Sequence, residues 1–245
     1  MRSQSVLAAA AALAVPALCV NYTYIPSMNP CIPGYTAGSD TVIFTTPYTY
    51  AQVMSIIGSY QNLTWSGSPD GSVSLNGTDN TVGTARTYDV SGAHVVETLT
   101  LYSKPAAGPY NEVHSLATVT IPALNNLTFY GDYDGTTVTA ACGGLASTFN
   151  FTINFCSNNA SLAASALHGI HLTDAMTVGV FLGGKNFTTC AALGAANGTA
   201  KANATATASA TATGSKPAVY TGGAAAMGSG ALLAGGAAVF AALIL

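Results

Sequence analysis

Residues 83–103 read GTARTYDVSGAHVVETLTLYS. Apolar and polar side chains alternate on both sides of Ser91-Gly92, the pattern of two strands joined by a tight turn. A two-residue turn sets Val90 opposite Ala93 and Arg86 opposite Glu97. Val82, Thr84, Tyr88 and Val90 share the face of Arg86. Ala93, Val95, Leu99 and Leu101 share that of Glu97. The other face carries Ala85, Thr87, Asp89, His94, Thr98 and Thr100, with Val96 and Tyr102 as exceptions. Two opposite charges therefore fall on the apolar face of a hairpin, in a chain that is only 6% charged. Such a pair is a fold-specifying buried pair, a contact lining a cavity, or a surface salt bridge. The reading depends on register, because a one-residue slip would turn both charges out.

Outward from the hairpin, TVIFTT (41–46) is β-rich and leads into PYTYAQVMSIIGSY. Thr46 as cap, Pro47 in the first turn and helical spacing of Tyr50, Val53, Met54 and Ile57 predict a helix ending near Gly58. Segments 80–90, 93–103, 113–121, 127–142 and 147–156 read as strands. In STFNFTINF, Phe149, Phe151, Ile153 and Phe155 line one face, with Asn150 and Asn154 on the other. Residues 161–181 read as a helix, with Asn159 as a cap and Gly169 and Gly179 as possible breaks. The order of elements predicts an α+β fold, a curved antiparallel sheet packed on helices.

This hairpin resembles the START-like, or SRPBCC, superfamily, which includes pollen-allergen-like, lipid-transfer and polyketide cyclase/dehydrase-like proteins. The residues that carry the resemblance are Gly83, Arg86, Tyr88, Val95, Glu97 and Leu99, as G-x-x-R-x-Y followed by V-x-E-x-L. It extends over about residues 38–184. It implies a helix-grip fold, in which the sheet wraps a long C-terminal helix around an apolar cavity. It also implies a hydrophobic small molecule or lipid as ligand, with Arg86, Glu97, Tyr88, Leu99 and Leu101 as the binding residues. Secretion, glycans, disulfides and a stalk depart from the family pattern and set aside its intracellular roles.

The ends of the 245-residue chain read as targeting segments. Residues 1–19 form a secretory signal, cleaved after Cys19 or, alternatively, Ala17. The domain is placed at 20–190. Residues 191–221 are an Ala/Thr/Ser-rich segment without periodicity, read as a glycosylated stalk. Residues 222–245 read as a GPI-attachment signal, with small residues at Gly222, a spacer and an apolar tail. A transmembrane helix is the alternative, but no Lys or Arg follows the apolar run. The protein is expected at the outer face of the plasma membrane or in the wall of a fungal cell, as a monomer. Nine sequons stand at Asn21, Asn62, Asn76, Asn126, Asn150, Asn159, Asn186, Asn197 and Asn203, as expected of a secretory glycoprotein. Cys31, Cys142, Cys156 and Cys190 remain for two disulfides, with three connectivities open. The preferred one joins Cys31 to Cys190 and Cys142 to Cys156.

Composition excludes nucleic acid as a partner. All nine Asp and Glu residues lie between Asp40 and Asp174, where the only bases are Arg86 and Lys104, so no basic patch meets phosphate. Three functions are left. One is a binding module for a hydrophobic small molecule. A second is a surface glycoprotein with no ligand. A third is a cyclase- or dehydratase-like enzyme using Glu97, Arg86, His94, His114, His168 or His171. G-x-S-x-G, HExxH and P-loop motifs are absent. A metal could use the helical face of His168, His171 and Asp174, but solvated helix histidines are far commoner and the sequence names no third ligand. No catalytic residue, metal or cofactor is therefore assigned.

Overall fold

The computed structural model describes residues 30–196. The expected signal segment, nearly all of the expected stalk, Gly222 with the expected GPI signal, and Asn21, Asn197 and Asn203 lie outside the described residues. Seven antiparallel strands form one sheet: β1 (Thr36–Thr46), β2 (Ser74–Asn76), β3 (Ala85–Val90), β4 (Ala93–Ser103), β5 (Tyr110–Ile121), β6 (Leu127–Ala141) and β7 (Ala146–Ser157). Their order in the sheet is β1-β7-β6-β5-β4-β3-β2. Helix α1 (Tyr50–Ile57) follows β1, the long helix α2 (Ala160–Phe181) follows β7, and α3 (Cys190–Ala196) ends the described chain. The fold is the α+β helix-grip, a curved antiparallel sheet packed on a long C-terminal helix. Among the described residues, no helix is long and apolar enough to cross a membrane.

The hairpin register follows the turn. Ser91 (φ 52°) and Gly92 (φ 78°) both take positive φ, the requirement of the two-residue turn that matches strand twist. Arg86 then pairs with Glu97 and Val90 with Ala93. The ladder continues upstream through Thr84 and Leu99. Val82 lies before the strand and is exposed.

Helix α1 starts later than its sequence suggests. Thr46 is still the last rung of β1, paired with Ser147, so its backbone cannot begin a helix. Thr49 caps instead, in a reciprocal capping box with Gln52. Helix α2 runs unbroken for 22 residues through Gly169, with Asn159 as its N-cap. Small residues Ala163, Ala166 and Ala175 are buried on its inner side.

The α2–sheet interior holds two apolar clusters. One contains Val42, Val53, Ile57, Trp65, Phe149, Phe151 and Val178. The other contains Val95, Leu116, Leu127, Ile153, Phe155, Ala163 and Leu167. Fully buried side chains of this kind each contribute about 1.5–3 kcal/mol. Gly38 pairs with Phe155 across β1 and β7. A Cβ there would meet the Phe155 ring at 2.5 Å, so the absent side chain makes room for the aromatic. Asn150 is exposed, as the alternation predicts. Asn154 departs from it: it is buried beside its cross-strand neighbour Tyr133, and its Nδ2 has no hydrogen-bond partner.

The disulfides are Cys31–Cys156 and Cys142–Cys190, which corrects the expected pairing. Cys142 stands at the β6–β7 turn, where Ala141 pairs with Ala146, whereas Cys156 pairs with Tyr130 at the far end of the same two strands. At roughly 3.3 Å per residue along β7, those cysteines are too far apart for the ~4.4–6.8 Å Cα separation of a disulfide. Cys156 instead lies beside the start of β1, opposite Ala37, within reach of Cys31. The second bridge ties Cys190 and α3 to the β6–β7 turn. Helix α3 carries ordered structure to Ala196, beyond the residue at which the sequence reading ends the domain.

Candidate functional site

Between the two apolar clusters runs a band of buried charge. On β5, Glu112 and His114 separate Tyr110 of the first cluster from Leu116 of the second. On α2, His171 and Asp174 separate Leu167 from Ala175 and Val178. Arg86 from β3, Glu97 from β4 and Asp134 from β6 complete the band, and all seven residues are buried. Four of the nine Asp and Glu residues, including both glutamates, are placed here in a chain with six Lys and Arg. Desolvating charge is costly unless each group is paired, and the pairing is dense.

Arg86 Nε donates to Glu97 Oε2, and its Nη1 donates to the Tyr60 carbonyl at 3.0 Å. Glu112 Oε1 lies 3.6 Å from the same Nη1, and the guanidinium sits 4.1 Å over the Tyr60 ring. Tyr88 donates its hydroxyl to Glu97 Oε1 at 2.9 Å. His114 Nε2 is 3.3 Å from Glu97 Oε1 and 3.3 Å from Asp134 Oδ2. Its Nδ1 is 3.7 Å from Glu112 Oε1, a carboxylate that also accepts from the Tyr110 hydroxyl. His171 stacks on Phe151 with ring centroids 5.1 Å apart and sets Nε2 3.5 Å from Asp134 Oδ1.

The electrostatics follow from this packing. Burial would raise the Glu97 pKa, but Arg86 and then His114 outweigh it and hold the carboxyl at about 2. Burial likewise opposes the Asp134 charge, yet His114 and His171 hold that carboxyl far below the usual range. Glu112 is lowered against the same burial cost by His114 and Arg86. Burial would lower His114, but Glu97 and Asp134 raise it well above an ordinary histidine. His171 is raised against burial by Asp134. Asp174 is the exception: burial pushes its carboxyl up to about 7, and His171 and Ser66 offset this only in part. The band thus sets Arg86, His114 and His171 against Glu97, Glu112 and Asp134, and Asp174 is the one carboxyl in it pushed up, to about 7.

Of the residues expected at a site, Arg86, Glu97 and Tyr88 meet in the band, and Leu99 is fully buried opposite His114. Leu101 is not brought there. A bulge between Leu99 and Leu101 shifts the β4–β5 register, so that Leu101 pairs with outward Val113 and Tyr102 turns inward opposite Glu112. Tyr102 donates to the Gly58 carbonyl at 3.1 Å. His94 stays on the wet face with Asp89, and His168 lies half-exposed on Asp40, so the i,i+3 histidines of α2 part company. Glu112 and Asp134 went unrecognised as site residues. Their signal was a strand alternation in which the polar residues, not the apolar ones, face in.

Of six sequons among the described residues, Asn76, Asn126, Asn150, Asn159 and Asn186 are exposed, and Asn62 is half-buried. Two open clefts, of about 300 Å³ beside Tyr50, Met54 and Lys104 and about 510 Å³ beside Leu63, Pro69 and Val73, lie at the surface outside the band.

No family model matches the chain, and no curated protein matches it in sequence. Solved structures share its general arrangement at low identity. The protein XoxI from Bacillus cereus aligns at 18% identity and a TM-score of 0.46, over 60% of this chain and 96% of that one. Norcoclaurine synthase from Thalictrum flavum, in complex with dopamine and hydroxybenzaldehyde, aligns at 10% identity and 0.43, over 74% and 96%. DynU16, from the dynemicin biosynthetic locus, aligns at 14% identity and 0.41, over 59% and 46%. At these identities the likeness extends to the arrangement of elements alone.

Proposed function

We propose that the chain is a glycoprotein of the outer cell surface, held by a GPI lipid, whose helix-grip domain binds a small hydrophobic molecule or lipid. The polar end of that ligand meets Arg86, Glu97, Tyr88 and His114. The observation that carries this reading is the concentration of buried ionisable groups in one band of an otherwise charge-poor chain. Carboxyl and imidazole groups shifted by burial and by specific charge partners cluster at functional sites. Apolar clusters on both sides of the band suit a ligand with an apolar body and one polar end. Entry requires α2 or the segment after α1 to move from the sheet.

A second reading, a surface glycoprotein with no ligand, is favoured by the tightness of this interior. Val53, Leu99, Phe149, Ile153 and Val178 have no measurable exposure. Native mass spectrometry of protein purified from its source separates the two. The binding reading expects an added mass that organic extraction removes and that Arg86→Met abolishes. Protein that carries no added mass and takes up no hydrophobic probe supports the second reading. Phosphatidylinositol-specific phospholipase should release the protein from intact cells. Retention despite active enzyme counts against the lipid anchor.

A further inference from the structure

The arrangement of Glu97, His114 and Asp134 has a property that salt bridges do not require. One ligand atom from each lies within 4.8 Å of the other two, and all three residues are buried. His114 Nε2 stands 3.3 Å from an oxygen of each carboxylate, yet neither ring nitrogen makes a hydrogen bond of acceptable geometry. A proton on Nε2 can point at one carboxylate only. A cation between the three atoms meets all of them. We infer that Glu97 Oε1, His114 Nε2 and Asp134 Oδ2 form a binding site for one divalent transition-metal ion of the zinc class.

The distances support this assignment. Bonds of roughly 2.0–2.1 Å at a tetrahedral centre put neighbouring ligand atoms about 3.3–3.5 Å apart. Both His114 separations already fall there, and the Glu97 and Asp134 ligand oxygens, within 4.8 Å of each other, would close on an ion by side-chain rotation. One imidazole and two carboxylates suit zinc-class ions, with a fourth position left for water or an exogenous ligand. The surroundings are those of a built site. Glu112 stands behind His114 Nδ1 at 3.7 Å, where a carboxylate orients a metal-ligating imidazole. Tyr88 holds Glu97 Oε1, Arg86 holds Glu97 Oε2, and His171 faces the other oxygen of Asp134. Asp134, with its side chain 12% exposed, is the most open of the three. The site uses the band assigned above to ligand binding but requires no organic ligand, so zinc uptake and retention of an organic mass are separate results.

The test uses untagged, secreted, full-chain protein stripped with chelator. Calorimetric titration with zinc should give one ion per chain, and cobalt(II) should give the intense absorption of a four-coordinate site without a thiolate band. His114→Gln or Asp134→Asn should abolish uptake, Glu112→Gln should weaken it about 10–100-fold, and His94→Gln on the outer face should leave it unchanged. The inference is overturned if wild-type protein takes up no stoichiometric zinc, if it prefers calcium or magnesium, or if uptake survives both ligand variants. Should the ligand variants not fold, the cobalt spectrum of wild type decides alone, and a weak six-coordinate spectrum overturns the site.

Discussion

Replacing Arg86 with Met removes the cation that Glu97, Glu112 and the Tyr60 carbonyl share. The cost follows by two routes. Removing one partner of a buried ion pair costs about 3–5 kcal/mol, because the remaining charge is left uncompensated. Independently, a Glu97 carboxyl held at about 2 instead of 4.5 represents about 3 kcal/mol of stability at neutral pH. Part of that belongs to His114, so about 3 kcal/mol is the consistent figure. For a domain of this size it lowers the melting temperature by roughly 6–12 °C. The sign with pH is fixed. A depressed carboxyl pKa contributes stability above the unfolded value of 4.5, and that contribution fades as pH falls towards 2. The gap between wild type and Arg86→Met, followed by circular dichroism with disulfides intact, should therefore be wide at pH 7 and narrow at pH 3. The double variant Arg86→Met/Glu97→Leu should recover part of the loss, since apolar replacement of both partners removes the stranded charge. Recovery stays partial because Tyr88 and His114 lose their acceptor. A loss below about 1 kcal/mol, the range of an exposed pair, or a gap equal at both pH values, would refute the reasoning.

Three other outcomes are expected. Asp174→Asn should stabilise the protein by about 2–4 kcal/mol at pH 8 and have little effect at pH 4. Its raised carboxyl favours the protonated form, so wild-type stability falls as pH climbs from 3.8 towards about 7; a pH-independent difference in chemical denaturation would contradict this. Leu99→Ala should cost about 2–5 kcal/mol, while Leu101→Ala, on the outer side of the bulge, should cost under about 1 kcal/mol; equal losses would place both residues inside. Non-reducing peptide mapping should recover Cys31 linked to Cys156 and Cys142 linked to Cys190, and a Cys31–Cys190 peptide would reject the strand ends as drawn.

Much of the fold was legible because it is local. Period-two alternation marked five of the seven strands, β-rich composition marked β1, and the Ser91-Gly92 turn fixed the hairpin register without any distant contact. The same logic stopped at the bulges. No sequence pattern announced the extra residue near Thr100 that exchanges Leu101 for Tyr102, nor the three-residue strand β2, which is too short to show a period. The site was half legible for the same reason. Arg86, Tyr88 and Glu97 share one hairpin, so turn geometry alone brings them together. Glu112, His114, Asp134 and His171 join them only across further strand pairings and the docking of α2.

The sequence by itself determined six of the seven strands and the two longer helices, and that Arg86 faces Glu97 on an apolar surface, because those relations span a few residues and one turn. Tertiary structure alone decided the disulfide partners, the inward turn of Tyr102 and the convergence of Glu97, His114 and Asp134. Each of these joins residues on separate elements, and their distance is set by accumulated register, bulges and helix docking. A one-residue shift in any pairing turns a side chain to the opposite face. Local alternation cannot register such shifts, and the packed sheet fixes them.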